Sequence, residues 1–120
     1  MVNWTTIIIV IILLVTLDKT LTVLNINAVK KNNPGVDPIS VERNPIAKWS
    51  FQKTGLLWGS IIYGIFSVGT FLLAMWFFHY PAKIYAPDNA WGVSFYVLML
   101  FYGFVIFNNF YFFLRYNNLL

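Results

Sequence analysis

Three long apolar segments, separated by shorter polar stretches that contain proline, constrain the fold of this chain more than any other feature. They run from about Trp4 to Val29, from about Ser50 to His79 and from about Trp91 to Arg115. A helix needs about 20 residues to cross a hydrocarbon core of about 30 Å, so each segment is long enough. Only 10% of the residues are charged, whereas a soluble domain has about 25%. The sequence therefore predicts an all-α integral membrane protein, a single domain (residues 1–120) with three transmembrane helices in the cell membrane.

The first apolar segment is expected to be a membrane helix that the mature chain keeps. Its β-branched run Thr5–Ile12 is compatible with a strand, but the length and continuous apolar character of the segment favour a helix. No basic residue precedes the segment, and no small-x-small pattern follows its apolar core. It therefore lacks two features of a cleavable secretory signal.

The distribution of basic residues predicts the topology. The first loop (residues 30–49), its flank and the C-terminus hold six of them: Lys30, Lys31, Arg43, Lys48, Lys53 and Arg115. The N-terminus and the second loop hold only Lys83. Because cytoplasmic loops carry an excess of Lys and Arg, we expect the N-terminus outside, the first loop in the cytoplasm and the C-terminus in the cytoplasm.

Asp18 is the one acidic residue within the first apolar segment. It follows Trp4 by fourteen residues, which places it about 21 Å down a helix, in the cytoplasmic third of the membrane. A carboxylate at that depth is costly, and such residues face protein partners or a functional cavity. Thr22 and Asn25 follow at spacings of four and seven residues, so they share one helix face with Asp18.

Other polar residues are expected at the same depth and are predicted to form one cluster with Asp18. Asn108 and Asn109 lie about 10 Å above Arg115 by helix rise. The second segment contributes Ser60, and Tyr63 is a further candidate. Lys19 is expected to point to a different face and to extend toward the inner headgroups. The cluster of Asp18, Thr22, Asn25, Ser60, Asn108 and Asn109 either joins helices by hydrogen bonds or forms a proton or cation site.

The loop motif Glu42-Arg43-Asn44-Pro45 precedes the second segment and is expected to fold back beneath this cluster. Arg43 or Lys53 could then neutralise Asp18, and Glu42 could join it as a second carboxylate. The simpler interpretation is a helix-start turn in which Glu42 or Asn44 caps the second helix.

Small residues in the second segment predict close helix packing. Gly55 and Gly59 are four residues apart, and Gly64 belongs to a second stripe with Ser60 and Ser67. Small faces of this kind let helix backbones approach closely in membranes. Packing within the chain and contact between copies are both compatible with the pattern.

Two motifs together carry a family resemblance. Leu17-Asp18-Lys19-Thr20-Leu21-Thr22 has the form L-D-x-x-x-T, and Glu42-Arg43-Asn44-Pro45-Ile46 has the form E-x-N-P-[IL]. The pair, over roughly the first two spans, resembles a family of small uncharacterised prokaryotic and archaeal membrane domains. The resemblance implies no activity. It implies that Asp18, Thr22, Glu42, Asn44 and Pro45 belong to one shared site.

Enzyme motifs are absent from the sequence, and no catalytic residue is predicted. The chain has no cysteine, which excludes disulfides and thiolate metal sites. Its single histidine, His79, is expected at the outer interface, far in depth from Asp18. We therefore expect no metal, no cofactor and no catalysis, and we do not interpret the net charge of +4 as affinity for nucleic acid.

Two functions follow from these features. The first is a small non-catalytic membrane protein, with lipids around it, that acts as a subunit of a homo-oligomer or of a larger complex with other membrane subunits. The small-residue stripes and the aromatic third segment favour it. The alternative is a minimal ion- or proton-coupled transporter or channel built around the carboxylate of Asp18.

Overall fold

The computed structural model describes residues 3–120, and Met1 and Val2 of the predicted domain lie outside the described residues. Four α-helices follow one another: α1 (Trp4–Asn32), α2 (Pro45–Thr54), α3 (Leu56–Tyr85) and α4 (Ala90–Tyr116). A short 3-10 helix, Pro38–Val41, lies between α1 and α2. Helices α1, α3 and α4 are each long and apolar enough to cross a membrane. This confirms the prediction of an all-α fold with three long apolar helices.

Helix α1 begins with a side-chain cap and buries one stripe of residues. The Asn3 Oδ1 atom accepts a hydrogen bond from the Thr6 N–H at 3.2 Å, which satisfies one of the free N–H groups of the first turn. The buried residues recur every three or four positions, as a single helix face requires. They include Ile7, Ile11, Val15, Asp18 and Asn25.

The predicted second span differs from the structure at its start. It was expected from about Ser50, but residues 45–54 form the separate helix α2, and the long helix begins at Leu56. Gly55 separates the two helices with φ +83° and ψ 172°, a conformation that is essentially restricted to glycine. The predicted loop 30–49 therefore contains a 3-10 helix and the first half of α2.

Helix α2 folds back against the start of α3. The Ser50 hydroxyl donates to the Gly59 carbonyl oxygen at 3.1 Å, and a Cβ atom at Gly59 would lie 2.8 Å from the Phe51 ring. Gly59 thus allows a close approach that any larger residue would prevent. Ala47 and Phe51 pack with Ile26 of α1 in a small apolar cluster.

The predicted end of the second span also differs. Helix α3 passes through Pro81 and ends at Tyr85, six residues beyond the expected boundary at His79. Proline removes one backbone hydrogen bond from a helix. Here the loss falls near the helix end, and α3 continues for one further turn.

The three long helices pack around one apolar core, with α4 in contact with both α1 and α3. The core is formed by Ile7, Ile11, Val15, Phe71, Met75 and Phe95. An apolar groove of about 600 Å³ lies between α1 and α3. Many large apolar side chains of these helices are exposed.

Candidate functional site

Asp18 is buried between α1 and α4, and both oxygens of its carboxylate accept hydrogen bonds. The Asn109 Nδ2 atom donates to Oδ1 at 2.5 Å. The Tyr102 hydroxyl donates to Oδ2 at 3.0 Å, and the Lys19 ammonium group donates to the same oxygen at 2.8 Å. The side chain of Asp18 is 5% exposed, so this charge is neutralised inside the protein rather than by solvent.

Lys19, and neither Arg43 nor Lys53, forms the ion pair with Asp18. The expectation that Lys19 points away is wrong, because its flexible stem bends back to the neighbouring carboxylate. Its Nζ atom also lies 4.0 Å from the centroid of the Tyr63 ring, within the range of a cation–π interaction. The Arg43 guanidinium instead lies 5.4 Å from the centroid of the Phe112 ring.

Asn25 and Thr22 extend the site along α1. The Asn25 Nδ2 atom donates to the Asn109 carbonyl oxygen at 3.0 Å, so Asn109 contacts α1 through both its side chain and its backbone. The Thr22 hydroxyl donates to the Asp18 carbonyl oxygen at 3.0 Å. The Asn25 Oδ1 atom is buried and has no hydrogen-bond partner.

Ser60 and Asn108 lie apart from Asp18. The Ser60 hydroxyl bonds the Leu56 carbonyl oxygen of its own helix at 2.6 Å, and Ser60 lines the groove between α1 and α3. Asn108 is exposed because it lies about 100° around α4 from Asn109. The sequence places residues at a depth but does not fix the rotation of a helix about its axis.

The three glycines also have different surroundings. A Cβ atom at Gly64 would lie 3.7 Å from Val15, so this residue contacts α1. Gly59 contacts α2 through Phe51. No atom lies within 4 Å of the Cβ position at Gly55, so Gly55 forms the turn between helices rather than a packing contact.

The loop motif is connected to Asp18 through Tyr63. The Asn44 Oδ1 atom accepts from the Ile46 N–H at 3.0 Å and caps α2, with Pro45 in its first turn. The Asn44 Nδ2 atom donates to the Tyr63 hydroxyl at 2.5 Å. The Tyr63 ring in turn contacts Lys19, so Tyr63 alone connects Asn44 to the Asp18–Lys19 ion pair.

Glu42 forms its side-chain hydrogen bond within the loop. Its Oε1 atom accepts from the Asn44 N–H at 2.9 Å, which supports the turn before α2. The structure does not bring Glu42 to Asp18 as a second carboxylate. Glu42 and Arg43 instead reach the space beneath Thr22, Asn25 and Asn109.

Two cavities lie on either side of the Asp18–Asn109 hydrogen bond. The smaller, of about 110 Å³, is lined by the polar residues Thr22, Asn25, Glu42, Arg43, Asn108 and Asn109, together with four apolar or aromatic ones. The larger, of about 400 Å³, opens between α3 and α4 and includes Asp18, Lys19, Tyr63 and Tyr102 in its lining. The site is thus a hydrogen-bonded chain between two spaces, with a neutralised charge at its centre.

Tyr102 is the residue of this site that the sequence analysis missed. It precedes Asn109 by seven residues and therefore shares its helix face. That spacing is the signal that could have identified it.

His79 lies at the other end of the molecule and is buried among aromatic side chains. It is 4% exposed, and its ring stacks on Trp91 with centroids 3.9 Å apart. Its Nδ1 atom contacts the Trp76 carbonyl oxygen. Within residues 3–120, no group of three or more His, Cys, Asp or Glu side chains could hold a metal ion.

The chain matches no protein-family model, and comparisons with curated proteins and with solved structures found no match either.

Proposed function

We propose that this chain is a small non-catalytic subunit of a membrane assembly, inserted in the cell membrane with its N-terminus outside and its first loop and C-terminus in the cytoplasm. The observation that carries the proposal is the hydrogen bonding of both carboxylate oxygens of Asp18. Asn109 donates to Oδ1, and Tyr102 and Lys19 donate to Oδ2. A carboxylate with these partners holds α1 and α4 in one arrangement, and its charge is balanced by Lys19.

The groove between α1 and α3 supports association with another helix. Its lining is mostly aliphatic and includes the small or hydroxyl-bearing residues Thr16, Thr20, Ser60 and Gly64. The three hydroxyls each bond a carbonyl oxygen of their own helix, at 2.6 to 2.7 Å. The groove surface therefore presents few polar groups that lack a hydrogen-bond partner, and a neighbouring helix can approach it closely.

Helix α4 presents a ridge of side chains, whose shape is complementary to the groove between α1 and α3. Leu100, Phe104 and Phe107 are 70%, 74% and 71% exposed. Their spacing of four and three residues aligns them in one ridge on a helix face. We infer that the ridge of one copy fills the groove of the next. Such a head-to-tail contact closes into a ring when the rotation allows.

Disulfide cross-linking tests this assembly directly, because the chain has no cysteine of its own. Tyr102 contacts Asp18 and Tyr63 contacts Lys19, so these two tyrosines lie at one depth. Ile61 precedes Tyr63 by two residues, and Phe104 follows Tyr102 by two. Because α3 and α4 run antiparallel, Ile61 and Phe104 are displaced from that level in the same direction. A mixture of Ile61→Cys and Phe104→Cys chains is expected to form a heterodimeric disulfide in membranes, and neither variant alone is expected to do so.

A matched control replaces Ile61→Cys by Phe77→Cys. Phe77 is on the same helix and 68% exposed, but it lies about 24 Å further along the helix axis. Its mixture with Phe104→Cys is expected to give no cross-link. A strictly monomeric native mass without a co-purifying partner would contradict the subunit proposal itself.

Ion or proton passage is the second candidate function, and one observation favours it. The Asn25 Oδ1 atom is buried without a partner beside the smaller polar cavity, and Asp18 separates that cavity from the larger one. Flux through proteoliposomes, compared between the wild type and Asp18→Asn, tests this function. Equal flux in both, or no flux in either, excludes it, and Ser60→Ala serves as a control outside the site.

A further inference from the structure

Helix α2 has two faces of different character. Ala47, Ser50 and Phe51 are buried against α1 and α3. Ile46 and Trp49 point outward and are 50% and 60% exposed. Because α2 is joined to the first residue of α3 through Gly55 alone, its outer face lies at the end of the apolar span. An amphipathic helix in that position fits the boundary between headgroups and acyl chains.

Two large exposed side chains, one of them aromatic, continue the apolar surface at the start of α3. Trp58 is 63% exposed and Leu57 is 69% exposed. Tryptophan is enriched at membrane interfaces because its ring is apolar and its N–H is polar. Trp49 and Trp58 therefore lie where such residues anchor a protein at headgroup depth.

The charge of the molecule is concentrated at the same end. Lys48 and Lys53 are the charged residues of α2, which contains no acidic residue. The Asn32 Nδ2 atom donates to the Tyr116 carbonyl oxygen at 2.7 Å, which brings the ends of α1 and α4 together here. This basic end has six cations, Lys30, Lys31, Arg43, Lys48, Lys53 and Arg115, against two carboxylates, Asp37 and Glu42.

We propose that the outer face of α2 is a binding surface for anionic phospholipid, with Lys48 and Lys53 on the phosphate headgroups and Ile46, Trp49 and Trp58 in the boundary beneath them. Charge complementarity identifies the occupant, since a zwitterionic lipid would leave the excess positive charge unmatched. Each basic residue near an anionic surface strengthens binding by about five-fold.

Native mass spectrometry of the detergent-solubilised chain, titrated with phosphatidylglycerol or phosphatidylcholine, tests the proposal. The wild type is expected to bind phosphatidylglycerol at least ten times more tightly than phosphatidylcholine, by the same charge argument. The double variant Lys48→Gln/Lys53→Gln is expected to lose about 25-fold in affinity for phosphatidylglycerol and none for phosphatidylcholine. Lys83→Gln, which removes a cation at the opposite end, is the matched control and is expected to bind as the wild type does.

Three outcomes would overturn the proposal. They are unchanged phosphatidylglycerol affinity in the double variant, equal affinity of the wild type for the two lipids, and displacement of phosphatidylglycerol by millimolar inorganic phosphate. The last would identify a site for free phosphate rather than a lipid surface. Circular dichroism and a melting curve in lipid-free detergent establish that the double variant is folded, and Trp49→Ser, which keeps both lysines, is expected to weaken the binding of both lipids.

Discussion

The ion pair at the centre of the molecule is formed by neighbours in the chain, Asp18 and Lys19. Adjacent helix residues point about 100° apart, but the lysine stem is long enough to return to the carboxylate. Lys19 adds charge balance and a contact with Tyr63, while Tyr102 and Asn109 supply the bonds between helices. The pair therefore enters the interior nearly neutral, which lowers the cost of a carboxylate at this depth.

Removing Asp18 alone is expected to lower the free energy of unfolding more than removing both Asp18 and Lys19. Asp18→Leu leaves the Lys19 ammonium, which is 13% exposed, without its counter-ion, and we expect the free energy of unfolding to fall by roughly 3 kcal/mol. Asp18→Leu combined with Lys19→Leu is expected to recover at least half of that loss, because an apolar pair carries no desolvation penalty.

Unfolding in mixed micelles, followed by circular dichroism, measures both variants. A double variant as unstable as the single one would show that the buried charge is not the source of the loss. Tyr102→Phe, which removes one hydrogen bond, is expected to cost about 0.6 kcal/mol. Tyr96→Phe on the exposed side of α4 is its control.

At the scale of elements, the turn at Gly55 determines where the second span begins. Residues 50–79 were predicted as one segment, although the polar residues Gln52, Lys53 and Thr54 interrupt its apolar character just before Gly55. The glycine adopts φ +83°, and this single backbone conformation lets α2 fold back on α3. The close contact between Phe51 and Gly59 depends on it.

Gly55→Ala is therefore expected to destabilise the protein although no atom lies within 4 Å of the new Cβ position. The expected loss is roughly 1–3 kcal/mol, since a side chain makes this backbone conformation strained. Gly69→Ala is the matched control, because Gly69 also has no atom within 4 Å but lies inside α3. We expect no loss there, since alanine favours a helix by up to about 1 kcal/mol over glycine. Equal melting temperatures for the two variants would contradict the strain argument.

At the scale of the whole molecule, the net charge of +4 is located at one end. Asp18 balances Lys19 in the interior, and Asp88 balances Lys83 at the opposite end. The remaining excess lies at the ends of α1 and α4 and around α2. A bundle with its charge at one end has a preferred orientation during insertion, since positively charged loops stay in the cytoplasm.

Labelling of single cysteines tests this orientation in right-side-out membrane vesicles. Val36→Cys in the first loop and Leu119→Cys at the C-terminus are expected to resist an impermeant maleimide until the vesicles are opened. Asp88→Cys, between α3 and α4, is expected to react from outside. Val36 and Leu119 are 49% and 64% exposed, so access across the membrane and not burial limits their reaction. The reverse pattern would contradict the predicted topology.

Part of the site could be predicted from the sequence because depth follows from helix rise. Asp18, Thr22, Asn25 and Asn109 were expected to share one level, and the structure places them in contact. Ser60 was expected there too, but it faces the groove. Its position in the second segment suggested this depth, whereas its direction depends on how α3 is rotated against α1.

The sequence by itself determined that this chain is helical and apolar enough for a membrane, because segment length and hydropathy are local properties that no packing arrangement alters. It also determined that Asp18 must find partners, since a buried carboxylate without them is too costly. Only the tertiary structure decided that those partners are Lys19, Tyr102 and Asn109. The rotation of each helix arises from contacts between segments distant in the sequence, and residue spacing within one segment does not encode it. The bend of the Lys19 stem and the turn at Gly55 are local, but the spacing of apolar residues does not specify them either.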